Sequence, residues 1–226
     1  MTTIPLLDGR EIPPETRLQE ILGRLGALGP GESLVLVAPH DPGKLLRMLL
    51  IQLPGRLMWG PLQKGPDAWR WQFVGRDAGS PRTVCDYLNW DHRRMEEILA
   101  DGLALARAGN WDEAQQRCAE HGLALLHHAY IEDSILFPAY DAATGNLPDG
   151  PTALMMEEHH GVRAGIERIQ RAAKARDLDA LEDAHEALVN AAAEHHAKEE
   201  EILFPGIDET IPQPQLAELV ERLMLA

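Results

Sequence analysis

Six residues of this chain could do metal chemistry, and an internal repeat ties them together. His128 and Glu132 stand four residues apart, as do His195 and Glu199, and the second pair lies 67 residues after the first. The segments His128 to Pro138 and His195 to Pro205 agree at six of eleven positions, and both close on Ile-Leu-Phe-Pro. The same shift lays His92 on His159, Met95 on Val162 and Leu99 on Ile166. The step from His92 to His128 equals that from His159 to His195, 36 residues, so neither half carries an insertion between its potential ligands. A duplicated helical hairpin is the expected origin of such a pattern.

The spacing has chemical content. Residues i and i+4 share one helical face, about 6 Å apart along the axis, so each His-Glu pair can offer an imidazole and a carboxylate to one centre. One hairpin supplies His92, His128 and Glu132, and the other His159, His195 and Glu199. A carboxylate can bridge two ions, which makes two metals sharing Glu132 and Glu199 the natural stoichiometry. Inward Glu and Glu/His pairs on facing helices are a known bundle solution for di-iron or di-manganese centres. A single His-x-x-x-Glu reads equally well as an exposed helical pair. Six such groups at symmetric positions do not, because burying them together without a cation would be severely unfavourable.

Three histidine doublets need a choice: His127-His128, His159-His160 and His195-His196. The repeat selects His128, His159 and His195, and leaves their neighbours off the inward face, at the expected surface. Asp133 and Glu200 directly follow the chosen carboxylates and are the nearest alternatives to them. The Ile-Leu-Phe residues are expected to pack the bundle end, and the prolines to end or kink their helices.

The elements that must hold these residues follow from periodicity. After a polar linker at 76–82 the sequence turns rich in Ala, Leu and Glu, and helices are expected at 83–108, 112–141, 150–176 and 178–204. Loop signals lie at Ala108-Gly109-Asn110 and from Thr144 to Gly150, with a weaker break at Arg176-Asp177, and a short helix is expected from Gln213 to Leu225. Short connections make an up-down-up-down four-helix bundle, so 83–226 reads as an all-α domain. Residues 1–76 differ. Ser33 to Ala38 reads as a buried strand, Ala68 to Val74 as a half-buried one, and Pro14 to Leu28 as a helix. A further helix opens at Asp41-Pro42, giving a small α+β domain of order βαβαββ.

Composition removes several classes. A formal net charge of -15, from 21 basic and 36 acidic residues, argues against nucleic acid as a partner. No apolar stretch reaches the ~20 residues of a membrane span. The opening Met1-Thr2-Thr3-Ile4-Pro5 has no basic region before an apolar run, so no signal peptide is expected. Cys85 and Cys118 form no Cys-x-x-Cys pair, which speaks against a zinc ribbon or disulfide scaffold and suits a reducing, cytoplasmic setting.

Asp91-His92, His128 to Glu132 with its Leu-Phe-Pro end, Glu158-His159, and His195 to Glu199 with the same end together resemble the hemerythrin-like HHE cation-binding family over about 83–207. The resemblance implies a non-haem di-iron centre that meets O2, nitric oxide or peroxide, with His92, His128, Glu132, His159, His195 and Glu199 as ligands. It leaves open a binding or sensing protein and a di-iron enzyme, namely a peroxidase, a nitric oxide reductase or an iron–sulfur repair protein. One position departs from the oxygen carriers of that family: Arg163 stands where they have a second His. That implies an open coordination position and favours reaction over reversible carriage, unless Glu96 fills it. The first domain, through Leu7-Asp8, Pro13-Pro14, Pro30-Gly31-Glu32 and His40-Asp41-Pro42, resembles a small family of TusA-like fold. It lacks the Cys-Pro thiol of sulfur carriers, so persulfide transfer is not expected. Its Trp59, Trp69 and Trp71 could form a surface for a protein partner, with core packing as the default reading.

Overall fold

Ser33–Ala38 carries five consecutive buried residues, as a strand covered on both faces should, and the first unit assembles around it. The computed structural model describes residues 4–145 and 150–226. The residues of the expected Thr144 to Gly150 loop at 146–149, and those of the N-terminal reading at 1–3, lie outside the described residues. The chain divides into two compact units, Met1–Arg82 with Val220–Ala226, and Thr83–Leu219.

The first unit runs β1 (Leu6–Asp8), α1 (Pro14–Gly26), β2 (Ser33–Ala38), α2 (Gly43–Gln52), β3 (Leu57–Lys64) and β4 (Trp69–Gly75), the expected βαβαββ order. The strands lie in the order β1-β2-β4-β3, with β1 parallel to β2 and the other pairs antiparallel. The register sets Val35 opposite Gln72 and Leu36 opposite Trp71. Pro14 opens α1, where its missing N–H costs nothing, and Ile21 and Leu25 bury that helix's inner face. A side chain at Gly75 would meet the Gly29 carbonyl oxygen at 2.2 Å, so only glycine permits this approach of backbone to backbone. Trp59, Trp71 and Phe73 are core residues, and the Trp59 indole donates to the Met224 carbonyl oxygen at 2.6 Å. Trp59 and Trp71 therefore present no partner surface.

The second unit is helical: α3 (Val84–Arg107), α4 (Trp111–Ile131), α5 (Phe137–Thr144), α6 (Pro151–His159), α7 (Val162–Ala175), α8 (Leu178–Lys198), α9 (Phe204–Thr210) and α10 (Gln213–Leu225), whose last turns belong to the first unit. Thr83 caps α3 by accepting the Asp86 N–H, and Asp177 caps α8 by accepting that of Ala180. α3 packs on α4, α4 on α7, α7 on α8 and α8 on α3, which closes a four-helix ring. Met95, Leu99, Ile166, Ile169, Leu181 and Leu188 fill its centre.

Two details differ from the periodicity reading. The second and fourth helices do not end at their prolines. Each passes through a single π-helical turn, Glu132–Leu136 and Glu199–Leu203, closed by hydrogen bonds from Phe137 N–H to the Glu132 carbonyl and from Phe204 N–H to that of Glu199. Pro138 and Pro205 then fall in the first turn of α5 and α9, where no intrahelical N–H is required. The third helix breaks at His160-Gly161, between α6 and α7.

Candidate metal centre

The repeat brings its six residues to one place in the second unit. α3 supplies His92, α4 His128, α6 His159 and α8 His195, and the first residue of each π turn supplies Glu132 or Glu199. Both carboxylates are fully buried. The residues form two overlapping groups that could hold a metal ion: His92, His128, Glu132 and Glu199, and Glu132, His159, His195 and Glu199. Within each group the candidate ligand atoms lie within 4.8 Å of one another.

The carboxylates are split between the groups oxygen by oxygen. Glu132 Oε1 faces His128 Nε2 at 3.3 Å and its Oε2 faces His159 Nε2 at 3.4 Å. Glu199 Oε1 faces His195 Nε2 at 3.2 Å and its Oε2 faces His92 Nε2 at 3.4 Å. None of these four buried oxygens has a hydrogen-bond partner. That would be costly in a finished apolar core, and a cation between the groups removes the cost.

The imidazoles make the same argument. Each ligand candidate has its Nδ1 on a carboxylate: His92 on Glu200 at 2.7 Å, His128 on Asp91 at 3.0 Å, His159 on Asp133 at 2.8 Å, and His195 on Glu158 at 2.8 Å. An imidazole that donates Nδ1–H to a carboxylate keeps its lone pair on Nε2, the arrangement typical of metal-bound histidine. Yet the Nε2 atoms of His92 and His128 are 3.0 Å apart, and so are those of His159 and His195. Two lone pairs at that distance repel. Two nitrogens bound at right angles to one ion, each at about 2.1 Å, would stand about 3.0 Å apart. The donor set therefore fits two ions.

Without an ion, protons neutralise the cluster. Burial works against charge on His128, but the Glu132 charge and the bond to Asp91 raise its pKa well above the ordinary range. His159 is raised in the same way by Glu132 and Asp133, and His195 is raised to about 8 by Glu199 and Glu158, again against burial. Glu132 is lowered despite its burial, chiefly by the charge of His128. The two thiols take no part: burial raises Cys85 to about 12 and Cys118 to about 11.

The outer carboxylates obey the repeat as well. Asp91 and Glu158 are 67 residues apart, and so are Asp133 and Glu200. The two nearest alternatives to the inward carboxylates thus have a different post, each bracing an imidazole of the opposite hairpin. The remaining expectations divide. His160 is exposed, but His127 and His196 are buried, against the surface positions expected for them. Arg163 is exposed beyond the helix break. Glu96 belongs to neither group and lies nearest His196 Nδ1, at 3.7 Å. His40 is exposed in its turn, with Nδ1 3.2 Å from the Asp41 carbonyl oxygen. Sequence reasoning passed over Arg94 and Lys198. Arg94 braces Asp91 with Nε–Oδ1 at 2.8 Å, and Lys198 pairs with Glu158.

A cavity of about 340 Å³ reaches the second group. Its wall is largely apolar, from Leu125, Ala129, Val162, Leu188, Ala191 and Ala192, and His128, His159 and His195 line it as well. Gly161 is on its wall, and the 67-residue shift lays that glycine on Arg94 of the first half.

Comparison with known proteins agrees with this geometry. Residues 150–224 match the family described as Hemerythrin HHE cation binding domain. Residues 6–74 match the family described as Uncharacterized conserved protein (DUF2249). No curated protein and no solved structure matches the chain.

Proposed function

We propose that the second unit is a non-haem di-iron site of the hemerythrin type that binds or senses O2, nitric oxide or peroxide. One observation carries this reading: two buried carboxylates without hydrogen bonds each direct one oxygen at each of two histidine pairs. His92, His128, Glu132, His159, His195 and Glu199 would hold the metal. Mixed imidazole and carboxylate donors suit iron. When bound, iron supplies one-electron chemistry and a position for a small ligand. The residues of this chain do the rest. Asp91, Asp133, Glu158 and Glu200 set the imidazole tautomers, and the apolar cavity beside His159 and His195 admits a small molecule while limiting water.

The same cavity favours a second reading, a di-iron enzyme acting on peroxide or nitric oxide. It is several times the roughly 30 Å³ that one water takes in the liquid, so a diatomic gas does not exhaust it. In either reading the first unit is the place for a protein partner or relay. Its likeness to the TusA-like fold is part of this proposal, as is a cytoplasmic setting, which the two unpaired cysteines suit.

The test is metal content and the optical spectrum of the full-length protein after loading with ferrous iron. Two irons per chain are expected, with near-ultraviolet charge-transfer bands that vanish in His128→Ala and in His195→Ala. Protein that holds no metal and refuses reconstitution would overturn the reading. Turnover of peroxide would select the enzyme, and a stable spectral adduct without turnover the binding protein.

A further inference from the structure

His196 stands out among the polar residues at the cavity. It is 8% exposed and lines the wall, yet it makes no hydrogen bond among the described residues. Its Nδ1 is buried without a partner, and Glu96 Oε1, at 3.7 Å, is beyond hydrogen-bond reach. The other polar groups at the wall, Glu194 apart, are engaged. His128, His159 and His195 each have Nδ1 on a carboxylate, and Glu158 is shared by His195 and Lys198. Glu194 is exposed.

The ring of His196 is also fixed in place. It lies parallel to that of His92, with centroids 3.6 Å apart and planes 8° from parallel. The fold itself does not need an imidazole here. The position 67 residues earlier is Ala129, which lines the same cavity from the other half. A buried polar group with unspent hydrogen-bonding capacity costs stability. Here no described residue takes its Nδ1, and the ring lines the cavity that a ligand would enter.

We propose that His196 is the hydrogen-bonding residue of the cavity, and that it favours small anionic ligands such as hydroperoxide or azide over nitric oxide. This rests on the reading that the neighbouring six residues hold metal. An anion beside the second group would gain a charge-assisted hydrogen bond from the imidazole N–H, whereas nitric oxide, a weak acceptor, would gain little.

The experiment uses full-length protein loaded with ferrous iron, with iron counted before any ligand is added. Azide is titrated into the oxidised protein and nitric oxide into the reduced protein, both followed by absorbance. His196→Phe keeps the stack on His92 and removes the hydrogen bond, and His196→Gln keeps a donor. Both variants are expected to hold as much iron as the wild type. Azide should bind about tenfold more weakly to His196→Phe and within about threefold of wild type to His196→Gln, with nitric oxide unchanged within about twofold in both. Unaltered azide affinity in His196→Phe, or equal weakening of azide and nitric oxide, would overturn the assignment. Iron lost from both variants would also overturn it, by making His196 part of the metal cluster. Wild-type protein without iron is a different result, and sinks the metal reading along with what rests on it.

Discussion

In both halves of the repeat a cation braces a carboxylate that braces a candidate-ligand imidazole, but the cation arrives from different positions. The first half uses Arg94, Asp91 and His128, with Arg94 and Asp91 side chains 0% and 1% exposed. The second uses Lys198, Glu158 and His195, with Lys198 and Glu158 side chains 40% and 31% exposed. By the 67-residue shift, Arg94 corresponds to Gly161 and Lys198 to Ile131, so neither cation has a counterpart in the other half. The ligand candidates and their carboxylate braces are thus held to a symmetric plan, while the layer outside them is not. On one side Arg94 is wholly buried, and on the other Gly161 and Lys198 line the cavity.

The largest effect should come from the feature the halves share. If Glu132 serves both groups, Glu132→Ala should lower metal content from about two ions to well below one per chain, read by elemental analysis. His195→Ala removes a donor from the second group alone, and should leave about one ion in the first group. Equal loss in both variants would break the picture of shared carboxylates between separable positions.

Next in size is the contrast between the two braces. Arg94→Met strands the buried Asp91 charge, and should cost about 3–5 kcal/mol in chemical denaturation of the metal-free protein. Lys198→Met breaks a pair that solvent already screens, and should cost less than about 1 kcal/mol. Similar costs for the two would mean that burial does not separate the halves.

A third effect separates the halves by pH. In the metal-free protein His195 has its pKa raised to about 8: burial opposes the charge, but the Glu199 carboxylate beside it and then Glu158 outweigh burial. A raised folded-state pKa stabilises fully below the unfolded value, near 6.5, and that contribution is lost as pH climbs through about 8. The metal-free protein should therefore lose about 2 kcal/mol from this residue across that window. His128, raised well above the ordinary range, should give up its share only at higher pH. Bound metal inverts the trend, since its imidazoles must be deprotonated, so added iron should stabilise more as pH rises. Metal-free protein that gains stability from pH 6 to 8 would contradict the assignment of protons to these histidines.

Much of this was legible before the structure because a duplication is its own alignment. The six ligand candidates, the bundle and the βαβαββ order follow from spacing and periodicity that survive in a single chain. What escaped was set by tertiary context. The π turns have no signature of their own, although a Pro six residues after an inward Glu, inside a helical pattern, is a clue that the backbone must widen there. Asp91, Glu158, Asp133 and Glu200 could have been found by applying the same shift to carboxylates beside the ligands. The burial of His127 and His196 could not, because both lie in regular helix, α4 and α8, where the packing of neighbouring elements and not the spacing decides how wide the buried face is. The cavity was unreadable for another reason. It is a space bounded by α4, α6, α7 and α8, with Gly161 on its wall, and such a space becomes visible only once those helices are placed.

The smallest expected change in stability tests the open side directly. Gly161 has an ordinary negative φ of -79°, and a side chain added there meets nothing closer than the Glu158 carbonyl oxygen at 3.7 Å. Gly161→Leu should therefore fold normally, with stability within about 0.5 kcal/mol of wild type and metal content unchanged. Its side chain would occupy part of the space beside His159 and His195. If small ligands enter there, nitric oxide and azide should associate about tenfold more slowly in stopped-flow traces, through obstruction of the approach and not through altered donors. Unchanged rates would mean that the cavity is not the route. The asymmetry between the halves would then be one of stability alone, and small ligands would need another approach to the candidate centre.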